Sequence, residues 1–160
     1  MAASIFMKNT EIEGQGTGDY KDEVILNSVS FGESNDINLH SGNVENSNAY
    51  VFNIDCTKGV DGATPTIART CTSGKHLDKV KLTVTKSMSG SNDARYPFVI
   101  LTLSNVVITN HLVSLSDSDS SESFSLHYTK IEMTVTPQDD QGNKLPDGTW
   151  TYEVKDAKGT

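Results

Sequence analysis

The segment "DKVKLTVTK", residues 78–86, alternates with a period of two: Val80, Leu82 and Val84 fall on one side, Lys79, Lys81, Thr83 and Thr85 on the other. Successive side chains of a strand point to opposite faces, so this pattern predicts a strand with one buried and one wet face. The same period recurs in both directions, in segments bounded by Gly, Asn, Asp and Ser. Upstream lie "SIFMKN" (4–9), "DEVILNSVSFG" (22–32), with Ile25, Val29 and Phe31 predicted to share a face, and "AYVFNIDCT" (49–57), with Tyr50, Phe52, Ile54 and Cys56 in phase. Downstream, "RYPFVILTLSNVVITNHL" (95–112) is apolar on both faces in its first half, which predicts a central strand with a bend near Ser104-Asn105. "SFSLHYTKIEMTVTP" (123–137) changes phase between Tyr128 and Ile131, predicting a β-bulge near Lys130, and "TWTYEV" (149–154) aligns Trp150, Tyr152 and Val154. The fold class is therefore mainly β: a compact antiparallel β-barrel, or two packed sheets, with one short flanking α-helix at about 64–74.

A chain of 160 residues with 35% hydrophobic content is expected to form one domain, 1–160, whose apolar residues come from short alternating strands. Its formal charge of −8 excludes a polyanion partner, because nucleic-acid binding draws on clustered Lys and Arg that this sequence lacks. The N-terminal "AASIFM" has too short an apolar core for a signal peptide, and no apolar run is long enough to cross a bilayer, so a soluble, cytoplasmic origin without membrane insertion is expected. Cys56 and Cys71 are then expected as free thiols in a reducing compartment.

The stretch "ATPTIARTCTSGKH" (63–76) tests for chemistry. A phosphate-binding loop needs a first glycine and a final hydroxyl, and Arg69 and His76 stand in those places. Cys56, Cys71 and His76 lack a close pair and a fourth ligand for zinc. What remains is a helix: Thr64 as N-cap, Pro65 at the first helical position and Gly74 as a left-handed C-cap, with Ile67, Ala68 and Cys71 forming an apolar stripe. The run "SDSDSSES" (116–123) misses a calcium loop, since Glu122 holds the glycine position and Tyr128 the bidentate one. No nucleophile elbow is present, and the Asp139-Asp140 pair lies in a turn. No catalytic residue, cofactor or metal is expected. The sixteen residues "ESNDINLHSGNVENSN" (33–48) show no usable periodicity and are expected to be a long loop of functional use or disorder.

Taken together, "CTKGVDGATPTIARTCTSGKH" (56–76), "VKLTVTK", "ILTLSNVVIT" and "ESFSLHYTKIEMTVTPQDDQG", preceded by "IFMKNTEIEG" and "SVSFG", resemble the haemolysin-coregulated protein family, the inner-tube subunit of bacterial type VI secretion systems. That resemblance covers nearly the whole chain in the right order. It implies a non-enzymatic subunit of a hexameric ring, with rings stacked into a hollow tube that a contracting sheath propels from the cell, able to carry effectors and tipped by a spike protein. It implies a cytoplasmic subunit before firing that is afterwards secreted without a signal peptide. The chain ends soon after its last strand, so no fused effector domain is expected. Departures fall in 33–48 and 88–94, leaving stacking geometry and cargo open. Ser28 and Ser30, small and polar, suit either a water-filled lumen or a solvent-facing outer strand. Asn43 in the long loop and Gly90 and Asn92 in the "SMSGSND" turn are candidate ring-stacking positions. A monomeric β-sandwich binding a glycan on an aromatic platform is the competing reading. A hydrolase would need a constellation that the sequence does not offer.

Overall fold

The computed structural model describes residues 4–40, 42–87 and 95–154. Eleven strands and one α-helix follow one another along them: β1 (Ile5–Lys8), β2 (Val24–Leu26), β3 (Ser28–Ser30), β4 (Glu33–His40), β5 (Asn43–Val51), β6 (Ile54–Lys58), α1 (Thr64–Ser73), β7 (Leu77–Ser87), β8 (Arg95–Leu115), β9 (Ser120–His127), β10 (Lys130–Val135) and β11 (Gly148–Glu153). All described pairings are antiparallel, and the expected form of two packed sheets with a flanking helix holds.

Three stretches of chain pass from one sheet to the other, and they explain most of the phase changes in the sequence. Residues 95–106 of β8 pair with β7, while 107–115 pair with β9. Asn105, at φ 53, turns the strand between the two, at the bend expected from the sequence; Asn tolerates this left-handed conformation better than bulkier residues. His76 Nδ1 lies 2.9 Å from its side-chain oxygen. On the opposite side, the chain breaks at Asn27: β2 pairs with β1, and β3 with β6. Sheet one therefore runs β2-β1-β7-β8-β10-β11 and sheet two runs β8-β9-β6-β3.

This break corrects the face assigned to 22–32. Val24 and Leu26 enter the core, whereas Ile25 and Val29 are half-buried and Phe31 is exposed. The phase slip near Lys130 has the same origin. It is no bulge but the point at which the chain leaves β9 in sheet two and, through Tyr128 and Thr129, starts β10 in sheet one.

Between the sheets, Leu82, Leu101 and Leu103 from one side meet Ile54, Phe124 and Leu126 from the other in one buried cluster. Such a side chain contributes about 1.5–3 kcal/mol when taken fully from water. Helix α1 lies against β8 and inserts Ile67 into the same cluster. Pro65 occupies the first turn, and Gly74 closes the helix at φ 64, its N–H bonded to the Cys71 carbonyl at 3.2 Å. The expected N-cap needs correction: Ala63 holds that position and Thr64 is already helical. The Thr64 hydroxyl is engaged elsewhere, donating to the buried Glu122 at 2.6 Å and accepting the Asp61 N–H at 3.0 Å.

The largest departure is 33–48. Instead of a loop, it forms most of a β4–β5 hairpin that pairs with no other described strand. Its sequence shows no alternation because alternation reports burial on one face, and Glu33 to Ile37 are all exposed. Nor is 49–57 one strand, although its residues alternate. Its first part finishes the hairpin, Phe52 and Asn53 lie outside any strand, and β6 begins at Ile54, so Tyr50 and Phe52 are about half exposed while Ile54 and Cys56 are buried.

Residues 13–23 form a tight loop that lays Tyr20 on Phe6, with ring centroids 4.2 Å apart and planes nearly parallel. Gly16 makes it possible, because a Cβ there would stand 2.1 Å from the Tyr20 carbonyl oxygen and 2.9 Å from that of Glu23. Neither contact can relax by a rotamer change, since both partners are backbone. Gly16→Ala is expected to lower stability by about 2 kcal/mol, in the range of overpacked cores. Differential scanning calorimetry checks this; an unchanged midpoint would show that the loop gives way without cost.

Candidate functional site

The outward face of sheet two is built mainly from polar side chains, with Leu112 as an exposed apolar exception. Ser28 and Ser30 are exposed on β3, and the Ser28 and Thr57 hydroxyls are 2.6 Å apart. Ser125 donates to Asp55 Oδ1 at 2.6 Å, Asn53 Nδ2 donates to Thr109 Oγ1 at 3.4 Å, and His127 Nδ1 lies 3.2 Å from Asn53 Oδ1. These cross-strand contacts tie β3, β6, β9 and the end of β8 into one hydrated surface. Two strands bound it. Among the described residues, β3 pairs only with β6, and residues 107–115 of β8 pair only with β9. Each leaves backbone N–H and C=O groups unpaired along one edge, the feature through which strands add to one another.

Behind this face lies a buried polar cluster. The Lys58 side chain at the end of β6 is fully buried, and its Nζ donates to Glu122, to Asp61 Oδ1 at 2.7 Å and to the Gly59 carbonyl at 2.9 Å. Glu122, on β9 and equally buried, also receives Thr64 Oγ1 and His111 Nε2 at 2.6 Å each. An ionised carboxylate only accepts, so His111 Nε2 is the donor. Burial pushes the Glu122 carboxyl up, but the hydrogen bonds from Lys58, Thr64 and His111, with the Lys58 charge, outweigh it and leave it below its ordinary value. Sequence alone did not find this cluster: its members are spread from 58 to 122, and Glu122 reads there as one more polar residue of "SDSDSSES".

A third feature is a groove of about 390 Å³ where the base of the β4–β5 hairpin meets β11, lined by Glu33, Tyr50, Trp150 and Tyr152 among others. Trp150 and Tyr152 stand on the core-facing side of the sheet-one edge and pack against the core, with ring centroids 6.1 Å apart. Asn43 is the first residue of β5, at the far end of that hairpin. Gly90 and Asn92 lie outside the described residues.

None of these arrangements resembles a reaction centre. Cys56 is buried and its thiol is pushed up to about 12 by burial, with Asp55 adding to it, so it stays protonated and unreactive. Cys71 is likewise a free thiol. Asp139 is held below the ordinary carboxylate value by the Asn143 and Gln141 N–H groups, the opposite of a general acid. Among the described residues no group of three or more His, Cys, Asp or Glu stands together as a metal site. No described helix is long and apolar enough to cross a membrane.

A two-sheet body with a polar outer face, open strand edges and a hairpin standing apart defines a protein that works through its surfaces. Comparison with known proteins gives the class a family. Residues 6–135 match the family model described as "Type VI secretion system effector, Hcp", and the chain belongs to that family. The family is one of secreted, structural tube proteins of type VI secretion, not of enzymes. Protein hcp1 of Pseudomonas aeruginosa is 30% identical over 96 residues, a match that takes in 59% of this chain and 57% of that protein's length. Among solved structures, one titled as a type six secretion system protein superposes with a TM-score of 0.83 at 19% identity, covering 96% of both chains. Hcp1 from Salmonella typhimurium gives 0.75 at 23% identity, again covering 96% of both. At these identities the structures speak for the shared fold.

Proposed function

We propose that this chain is a single-domain subunit of a hexameric ring, and that rings stack into the hollow inner tube of a type VI secretion system. The observation that carries this is the outer face of sheet two, mostly polar with Leu112 as its exposed apolar member, and bounded on both sides by a strand edge left unpaired among the described residues. Pairing the β3 edge of one copy with the 107–115 edge of the next is a head-to-tail contact. Repeated at a fixed rotation, such a contact closes into a ring. The polar face, with Ser28 and Ser30, then becomes the lumen wall, wetted and able to hold effectors without binding them tightly. Ring stacking falls to the β4–β5 hairpin around Asn43 and to the turn around Gly90 and Asn92. The subunit assembles in the cytoplasm, meets the spike protein and the contractile sheath there, and leaves the cell when the sheath fires.

Size-exclusion chromatography with light scattering tests the ring directly. The expected species has six times the 17.3 kDa subunit mass. A monomer at every concentration would overturn the reading. It would favour the glycan-binding alternative, for which the aromatic groove of Tyr50, Trp150 and Tyr152 is the platform.

A further inference from the structure

The far end of the β8–β9 hairpin has little apolar burial to hold it. Leu112 is 61% exposed, Leu115 is 73% exposed and Ser120 and Ser121 are both exposed. What ties this segment to the rest of the molecule is Glu122, through Lys58 of β6 and Thr64 of α1, with His111 of β8 bonded to the same carboxylate. Glu122 is also paired with Val113 across the hairpin and with Lys58 across β6–β9. One buried carboxylate thus joins four elements.

We propose that the Lys58–Glu122–His111 cluster is an acid-operated latch on the unpaired edge of β8, and that a proton on Glu122 releases residues 111–122 from β6 and α1. The groups facing Glu122 are Lys58 from β6, Thr64 from α1 and His111 from β8, with Asp61 beyond Lys58; all but Asp61 donate to it. An ionised carboxylate accepts all three donors. A protonated one brings a further hydrogen among them and leaves Lys58 buried with Asp61 as its one anion, a costly state for a charge away from water. Because Glu122 titrates lower in the folded chain than in the unfolded one, its stabilisation is complete above the ordinary carboxyl value of 4.5. It is lost as pH falls through the folded value.

Release of 111–122 would also loosen the edge assigned above to ring closure. That consequence rests on the ring reading, whereas the local opening does not. Amide hydrogen exchange, corrected for intrinsic rates, is to be followed from pH 7 to pH 3 on the full chain. Residues 111–122 are expected to lose protection at least tenfold more than β1 and β7 do at the acid end. Glu122→Gln is expected to show the same local loss already at pH 7. The double variant Lys58→Met/Glu122→Leu, which keeps the site filled but uncharged, should abolish the differential pH response, and it serves if the single variant does not fold. Equal loss of protection across all strands, or a double variant that retains the response, would overturn the latch. Light scattering on the same samples separates the two claims. Rings that dissociate over the pH range of local opening support coupling, and rings that persist while 111–122 opens refute it. A monomer throughout would refute the ring reading, with the latch judged on the exchange data alone.

Discussion

Lys58→Met is expected to cost about 3–5 kcal/mol of folding stability, because it leaves Glu122 charged in a site closed to water. In a chain of this size each kcal/mol moves the thermal midpoint by about 2–4 °C, so a fall of about 6–20 °C is anticipated. The double variant Lys58→Met/Glu122→Leu should recover much of the loss, since two apolar side chains of similar volume replace both charges and remove the desolvation cost that the ion pair carries. Urea denaturation of the parent, both singles and the double forms a mutant cycle, in which residues sharing one network couple by about 0.5–3 kcal/mol. Additive losses would mean that the two charges act independently, contrary to the contact between them. Thr64 and His111 would still face the apolar leucine in the double variant, so full recovery is not anticipated.

Removal of the β4–β5 hairpin, by joining Gly32 to Phe52 through a short Gly-Ser link, is expected to leave the subunit folded and the ring intact while abolishing stacking into tubes. The hairpin pairs with no other described strand, and a two-stranded sheet in water is marginal by itself. Ile37 and Tyr50 are about half exposed on it. Such an element gains its stability from something it docks against, and under the tube reading that partner is the next ring. Electron microscopy of concentrated protein would show parent tubes and only isolated rings for the variant. Tubes of ordinary length from the shortened chain would place stacking elsewhere, with 88–94 the remaining candidate. A collapse of the thermal midpoint would instead reveal the hairpin as part of the core's support, beside the groove it shares with Trp150 and Tyr152.

Period-two alternation identified β7 and the two-sheet class because Val80 and Leu82 are buried while Lys79 and Lys81 are exposed, the condition that makes a strand readable. Farther along β7 it does not hold, since Thr83 and Thr85, expected on the wet face, are buried and Val84 is half-buried. Alternation failed for the hairpin, where both faces are wet, and misled at Asn27 and at Tyr128–Thr129, where the chain changes sheets. A period counts residues along one strand; it cannot know that the strand's neighbour has changed. The helix was legible from Pro65 and Gly74, residues whose backbone preferences act locally. Its N-cap was not, because the Thr64 hydroxyl answers to Glu122, fifty-eight residues away in the chain.

By itself, then, the amino-acid order determined the β class, the single short helix and the absence of a recognisable catalytic or metal motif, since these depend on local propensity, spacing and residue type. The resemblance carried by "CTKGVDGATPTIARTCTSGKH" reached the family as well. The tertiary structure alone decided that Ser28 and Thr57 share a polar face, that β3 and the end of β8 border it with one edge each unpaired among the described residues, and that Lys58, Glu122 and His111 meet in one buried cluster. Each is a contact between segments far apart in the chain, and such contacts exist only once the core has brought the two sheets together.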